Sequence, residues 1–120
     1  MAGMESRGGV RVGINATAMV EVDKAMKEQV RILREPQKVV IADVSTVGLG
    51  VVSPVFLPKG AILEIKMESA VFSFDRPITI KGEVRYCKPA KEGSYKVGIK
   101  FIEVESDILS KIKEYVTKSG

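Results

Sequence analysis

Between residues 10 and 104 the chain returns again and again to one pattern: a short run of β-branched or alternating apolar residues, then a turn signal carrying glycine or proline. Successive side chains of a strand point to opposite faces, so alternation marks a strand buried on one side only. "VRVGINATAMVEV" (residues 10–22) alternates in this way, with Val12, Ile14, Ala16, Ala18, Val20 and Val22 on one face. "KVVIADV" (38–44), "LGVVSPVFL" (49–57), "AILEIKMES" (61–69), "ITIKGEVRYC" (78–87) and "YKVGIKFIEV" (95–104) follow it. Pro54 in the third of these runs cannot donate to a ladder, which implies an edge or a bulge there. "KPAKEGS" has the length and composition of a hairpin loop. Six strands joined by short turns are expected to close into an antiparallel β-barrel, which leaves no strand edge unpaired.

The ending changes period. Ser106 can cap a helix in which Ile108, Leu109, Ile112, Tyr115 and Val116 form one apolar stripe, so a C-terminal helix should pack on the barrel. The fold class expected is therefore all-β with a terminal helix. "DKAMKEQVRILREP" (23–36) stays open: Met26, Val30 and Leu33 lie at helical spacing, Val30 and Ile32 also suit a strand, and Pro36 would end either.

Composition removes most chemistries. The 120 residues suit one domain. There is no histidine, the commonest general base and metal ligand, and one cysteine, Cys87, which precludes an intrachain disulfide. Without a histidine to activate it, Cys87 reads as a buried strand thiol. The carboxylates are scattered, with no spacing that suggests acid/base work or a calcium loop. The chain is accordingly read as not an enzyme, with no cofactor and no metal. Nineteen Lys and Arg against 15 Asp and Glu leave a net charge of +4, a modest excess, and tryptophan is missing. General nucleic-acid binding is not expected, because single-strand binders interleave stacking aromatics with their positive groove. No apolar run approaches the ~20 residues of a membrane span, and the polar, glycine-rich N-terminus has no signal-peptide core, so a cytoplasmic location is expected.

Two short motifs remain. "DVSTVG" ends the second strand pattern and places Asp43 and Ser45 two residues apart, hence on one face of an extended chain. They either form a compact hydrogen-bonding patch or build the turn, with Gly48 supplying a positive φ. Upstream, "RGGVR" spaces Arg7 and Arg11 four residues apart across two glycines that oppose a preformed helix, a span of about 13 Å if extended. Guanidinium groups offer paired planar donors that fit phosphate in bidentate fashion.

RxxxR before the first strand, DxSxxG closing the next, and a late "YKVGIKFIEV" strand followed by a helix together resemble the PilZ domain family. The resemblance extends from residue 7 to about residue 118. It implies a six-stranded barrel that receives cyclic di-GMP, the bacterial second messenger, as its ligand. Arg7 and Arg11 would grip phosphates and guanine edges, and Asp43, Ser45 and Gly48 would form the guanine-facing rim. Residues 1–11 are then expected to be a flexible arm, and 12–120 the barrel with its helix. The ligand would order the arm and alter binding to a downstream protein, which the sequence does not identify. The alternative is a PilZ-type adaptor that binds proteins and not the nucleotide. Ser6 stands where many members carry a further arginine, which leaves open whether one ligand or an intercalated pair is taken. Segment 23–36 is longer than the loop usual in the family.

Overall fold

A computed structural model describes residues 11–22 and 35–119. Six strands are present: β1 (Val12–Val22), β2 (Gln37–Val44), β3 (Gly48–Ser53), β4 (Ile62–Met67), β5 (Ile78–Pro89) and β6 (Tyr95–Glu103), followed by helix α1 (Ser106–Ser119). They form a closed barrel in the order β1-β2-β3-β6-β5-β4, with every neighbouring pair antiparallel. The expected architecture is the one observed.

Alternation is what closes it. The inward residues of every strand, among them Val20, Ile41, Leu49, Leu63, Ile65, Ile80, Val84 and Val97, are fully buried and share one core. Burial of each such side chain stabilises by roughly 1.5–3 kcal/mol, so an Ile80→Ala cavity would cost about 2–5 kcal/mol. The helix packs on the core with the expected stripe: Ile108, Ile112 and Val116 are buried, and Leu109 and Tyr115 partly so. Tyr115 packs edge-on against Phe72, centroids 5.5 Å apart, and donates its hydroxyl to the Gly13 carbonyl at 3.2 Å.

Turn chemistry differs from the expectation after β3. Pro54 marks neither an edge nor a bulge. β3 stops one residue earlier at Ser53, whose buried hydroxyl donates to the Val55 carbonyl at 2.7 Å and accepts from the Val55 amide at 3.1 Å. Cys87 lies on β5, half-buried, where its sulfur accepts from the Leu57 amide at 3.4 Å and so helps seat the segment after Pro54. Gly60, at φ +91°, allows the turn in which the Ala61 amide donates to the Pro58 carbonyl. Segment 23–34, left open between helix and strand, lies outside the described residues, as do residues 1–10.

Among the described residues, no helix is long and apolar enough to cross a membrane, and no group of three or more Cys, Asp or Glu side chains is placed to hold a metal ion.

Candidate ligand-binding site

Arg11 stands one residue before β1, and β1 runs antiparallel to β2, which brings the end of β2 beside it. The two motifs meet across this pair of strands: Arg11 Nη1 donates to Asp43 Oδ1 at 2.6 Å. Neither group is sealed in, with the arginine side chain 46% exposed and the carboxylate 28%. The other arginine of the motif, Arg7, lies outside the described residues.

Asp43 owes its position to its neighbours. It pairs with Gly13 on β1 and with Gly50 on β3, so neither flanking strand offers a side chain to cover it. A Cβ on Gly50 would fall 2.6 Å from Oδ1 and 2.8 Å from Cγ, which means the carboxylate lies across that glycine. A Cβ on Gly13 would meet nothing within 4 Å. Both ladders also change register here, β1–β2 between Gly13 and Ala16 and β2–β3 between Ile41 and Asp43. Such irregularities re-aim side chains, and here they turn a carboxylate outward at the end of an apolar strand.

Ser45 and Gly48 have other work. Ser45 is 1% exposed, and its Oγ accepts from the Val47 and Gly48 amides, both at 3.2 Å, while its own amide donates to the Gly48 carbonyl at 2.9 Å. β2 ends at Val44, so the two-residue alternation that would set Ser45 beside Asp43 no longer applies. Ser45 builds the β2–β3 turn and does not share an exposed face with Asp43. The positive-φ glycines among the described residues are Gly60 and Gly93, so Gly48 supplies no left-handed turn residue either. Gly48 pairs with Lys100 on β6, and a Cβ on it would drive into the Ile99 carbonyl. The requirement for glycine is close approach of β3 to β6.

Beyond Asp43 the outer face continues as one cross-strand row. Asp43 on β2 pairs with Gly50 on β3, Gly50 with Gly98 on β6, and Gly98 with Tyr86 on β5. Sequence reasoning passed over Gly13, Gly50, Gly98 and Tyr86. The available signal was glycine in strand interiors, which marks close approach of another group.

A family model described as the PilZ domain matches residues 5–118. The chain belongs to the PilZ domain family. Among solved structures, this PilZ domain is similar to the Bacillus subtilis inhibitor of motility MotI/DgrA, with a TM-score of 0.71 and 15% identity over 91% of this chain and 48% of that one. The PilZ domain of YcgR from Escherichia coli, described with c-di-GMP, matches with a TM-score of 0.63 and 9% identity over 92% and 88%. The K. pneumonia MrkH–c-di-GMP complex matches with a TM-score of 0.64 and 16% identity over 91% and 50%. The chain thus spans about half the length of MotI/DgrA and of MrkH. At these identities the likeness is one of fold. No curated protein gives a significant sequence match.

Proposed function

We propose that this PilZ domain is a receptor for cyclic di-GMP, with Arg11 and Asp43 at the centre of its site and Arg7 completing the grip. The observation that carries the reading is the meeting of the two motifs: Arg11 and Asp43, 32 residues apart in sequence, are in hydrogen-bond contact on a partly open surface. Guanine presents acceptors at O6 and N7 and donors at N1 and its amino group. A guanidinium and a carboxylate side by side offer the complementary set. The pair in hand uses one nitrogen of Arg11 and one oxygen of Asp43, so a guanine would exchange a partly exposed ion pair, worth ~0–1 kcal/mol, for several bonds to charged groups. Ser45 and Gly48 hold the turn that positions Asp43, which gives the DxSxxG motif a divided role: one residue offered to ligand, two that shape its support. The solved PilZ-fold proteins described with c-di-GMP favour the same ligand class.

Signalling follows from the arm. Ligand contacts from Arg7 and Arg11 offset the cost of ordering residues 5–10, select the ordered state, and present an altered surface to a downstream protein.

Calorimetric titration with cyclic di-GMP tests the reading. Saturable heat is expected, with GMP and cyclic di-AMP much weaker. Folded protein that gives no heat with cyclic di-GMP would sink it and favour the adaptor alternative, for which the turn-building roles of Ser45 and Gly48 suffice.

A further inference from the structure

The end of the barrel away from Arg11 and Asp43 carries two features that packing does not require. β3 leads from Gly48, in the turn after Asp43, to Ser53, about 17 Å along the strand, and Ser53 pairs with Tyr95 at the start of β6. The chain then crosses that end toward β5, where the Gly60 amide donates to the Val84 carbonyl at 2.8 Å. On this crossing Leu57 is fully buried, its amide donating to the Cys87 sulfur, and the Val55 backbone is tied to the Ser53 hydroxyl. Phe56 stands between two residues so anchored and is left outside, 43% exposed, with its ring edge-on to Tyr95 at a centroid distance of 5.8 Å. That is the first feature. The second is a group of lysines at the same end. Lys59 lies on the crossing, Lys91 in the β5–β6 hairpin loop, and Lys88 and Lys96 directly opposite each other on β5 and β6. All four are exposed, and among the described residues none pairs with a carboxylate. Lys88 Nζ lies 5.1 Å from the Tyr86 ring centroid. Like charges directly opposite on a ladder are destabilising, so Lys88 and Lys96 cost the fold stability just where Phe56 is exposed. The acid of the hairpin loop is Glu92.

We propose that this tip docks the domain on an anionic lipid surface, with Phe56 entering the boundary between headgroups and acyl chains and Lys59, Lys88, Lys91 and Lys96 meeting the lipid phosphates and carboxylates. Charge complementarity selects the occupant: four lysines without carboxylate partners, against the single acid of the loop, match a surface of many negative groups. Shape agrees, because the aromatic ring stands on a loop and not in a groove, which suits a soft plane. Lysine stems and a phenyl ring both fit the boundary, where apolar parts sink and charged heads stay with the phosphates. Since the tip and Asp43 lie at opposite ends of β3, a docked domain keeps Arg11 and Asp43 open, and the proposal does not rest on the nucleotide reading.

Sedimentation with vesicles of phosphatidylcholine containing about 30% phosphatidylserine tests it, beside vesicles of phosphatidylcholine alone. The parent protein should bind the first and not the second, and binding should fall as salt rises. Phe56→Ser should lose roughly tenfold in partitioning. The double variant Lys88→Gln with Lys96→Gln should lose roughly twenty-fivefold, about fivefold for each lysine, while its stability in urea is kept or raised because the opposed charges are gone. Phe56→Trp places the chain's sole tryptophan at the tip, and its emission should shift to the blue with the serine-containing vesicles and be quenched by lipids brominated on the acyl chains. Circular dichroism checks the fold of each variant, and if Phe56→Ser is unfolded the tryptophan variant decides. A parent protein that stays in the supernatant with both vesicles overturns the proposal, as does the double lysine variant binding at parent strength. Bound Phe56→Trp with unchanged emission overturns it too, and marks the lysines as a basic surface for some other anion. The receptor reading has its own test in calorimetry with cyclic di-GMP, which none of these outcomes touches.

Discussion

Two arginines with nearly equal exposure show how differently this barrel uses the same side chain. Arg11 is 46% exposed and Arg76 50%. Arg76 donates to Asp75 at 3.3 Å, Glu105 at 3.0 Å and Asp107 at 3.2 Å, and its guanidinium carbon lies 4.7 Å from the centre of the Phe74 ring. The bond to Glu105, then that to Asp107, holds its proton more tightly than in an ordinary guanidinium. Three donors and one face of the guanidinium are engaged, and the cluster ties the segment before β5 to the first turn of α1. Arg11 meets one carboxylate among the described residues, which leaves donors for something else. Exposure alone would rank the two alike. The number of carboxylates engaged, three against one among the described residues, is what separates an arginine that fastens the fold from one available to a ligand.

The sharpest way to break this contrast is to remove the available pair. Asp43→Ala should cost about 1.5–3 kcal/mol of cyclic di-GMP binding, roughly tenfold to a hundredfold, with the melting temperature little changed. Calorimetry of the variant decides it, and the sign matters. If binding were only attraction of an anion to a basic surface, deleting an acid would leave affinity unchanged or raise it.

Next comes the buried hydroxyl in the same motif. Ser45→Ala deprives the Val47 and Gly48 amides of their shared acceptor and should lower stability by about 1–2 kcal/mol in urea denaturation, with the larger effect on folding than on ligand contacts. A large affinity loss at unchanged stability would place Ser45 with Arg11 and Asp43 instead of with the turn. Arg76→Ala should lower the melting temperature by a few degrees and leave cyclic di-GMP affinity at the parent value, and the same two measurements on Arg11→Ala should give the reverse. The smallest effect is in the free protein: a double-mutant cycle on Arg11 and Asp43 without ligand should return a coupling of only ~0.2–1 kcal/mol. A coupling several times larger would mean that the pair is an interior fastening and not an open site.

The barrel was legible because alternation repeats in strand after strand, and a half-buried strand admits only one register before its apolar face turns outward. The terminal helix was legible from the stripe Ile108, Ile112 and Val116. The site was legible only where a motif residue points out. The family resemblance assigns Arg11 and Asp43 to one ligand but does not bring the two into contact, and the expectation that Ser45 shares the face of Asp43 fails because β2 ends at Val44, one residue before it. The turn reading's positive φ at Gly48 is not what requires glycine there; the constraint comes from the Ile99 carbonyl, 51 residues away in sequence, which no local pattern encodes. The Arg76 cluster and the Tyr86–Gly98 contact were invisible for the same reason: each needs two segments whose proximity exists only once the ring has closed.

Closure of that ring also dictates how the domain can associate with anything else. Each of the six strands has a paired neighbour on both sides, so among the described residues no whole strand stands as an open edge on which a foreign strand could extend the sheet. Assembly through these strands must therefore be read from side chains on a curved outer wall. On such a wall recognition depends on which chemical groups stand proud, and a nucleotide lying across it would itself become part of what a second protein sees.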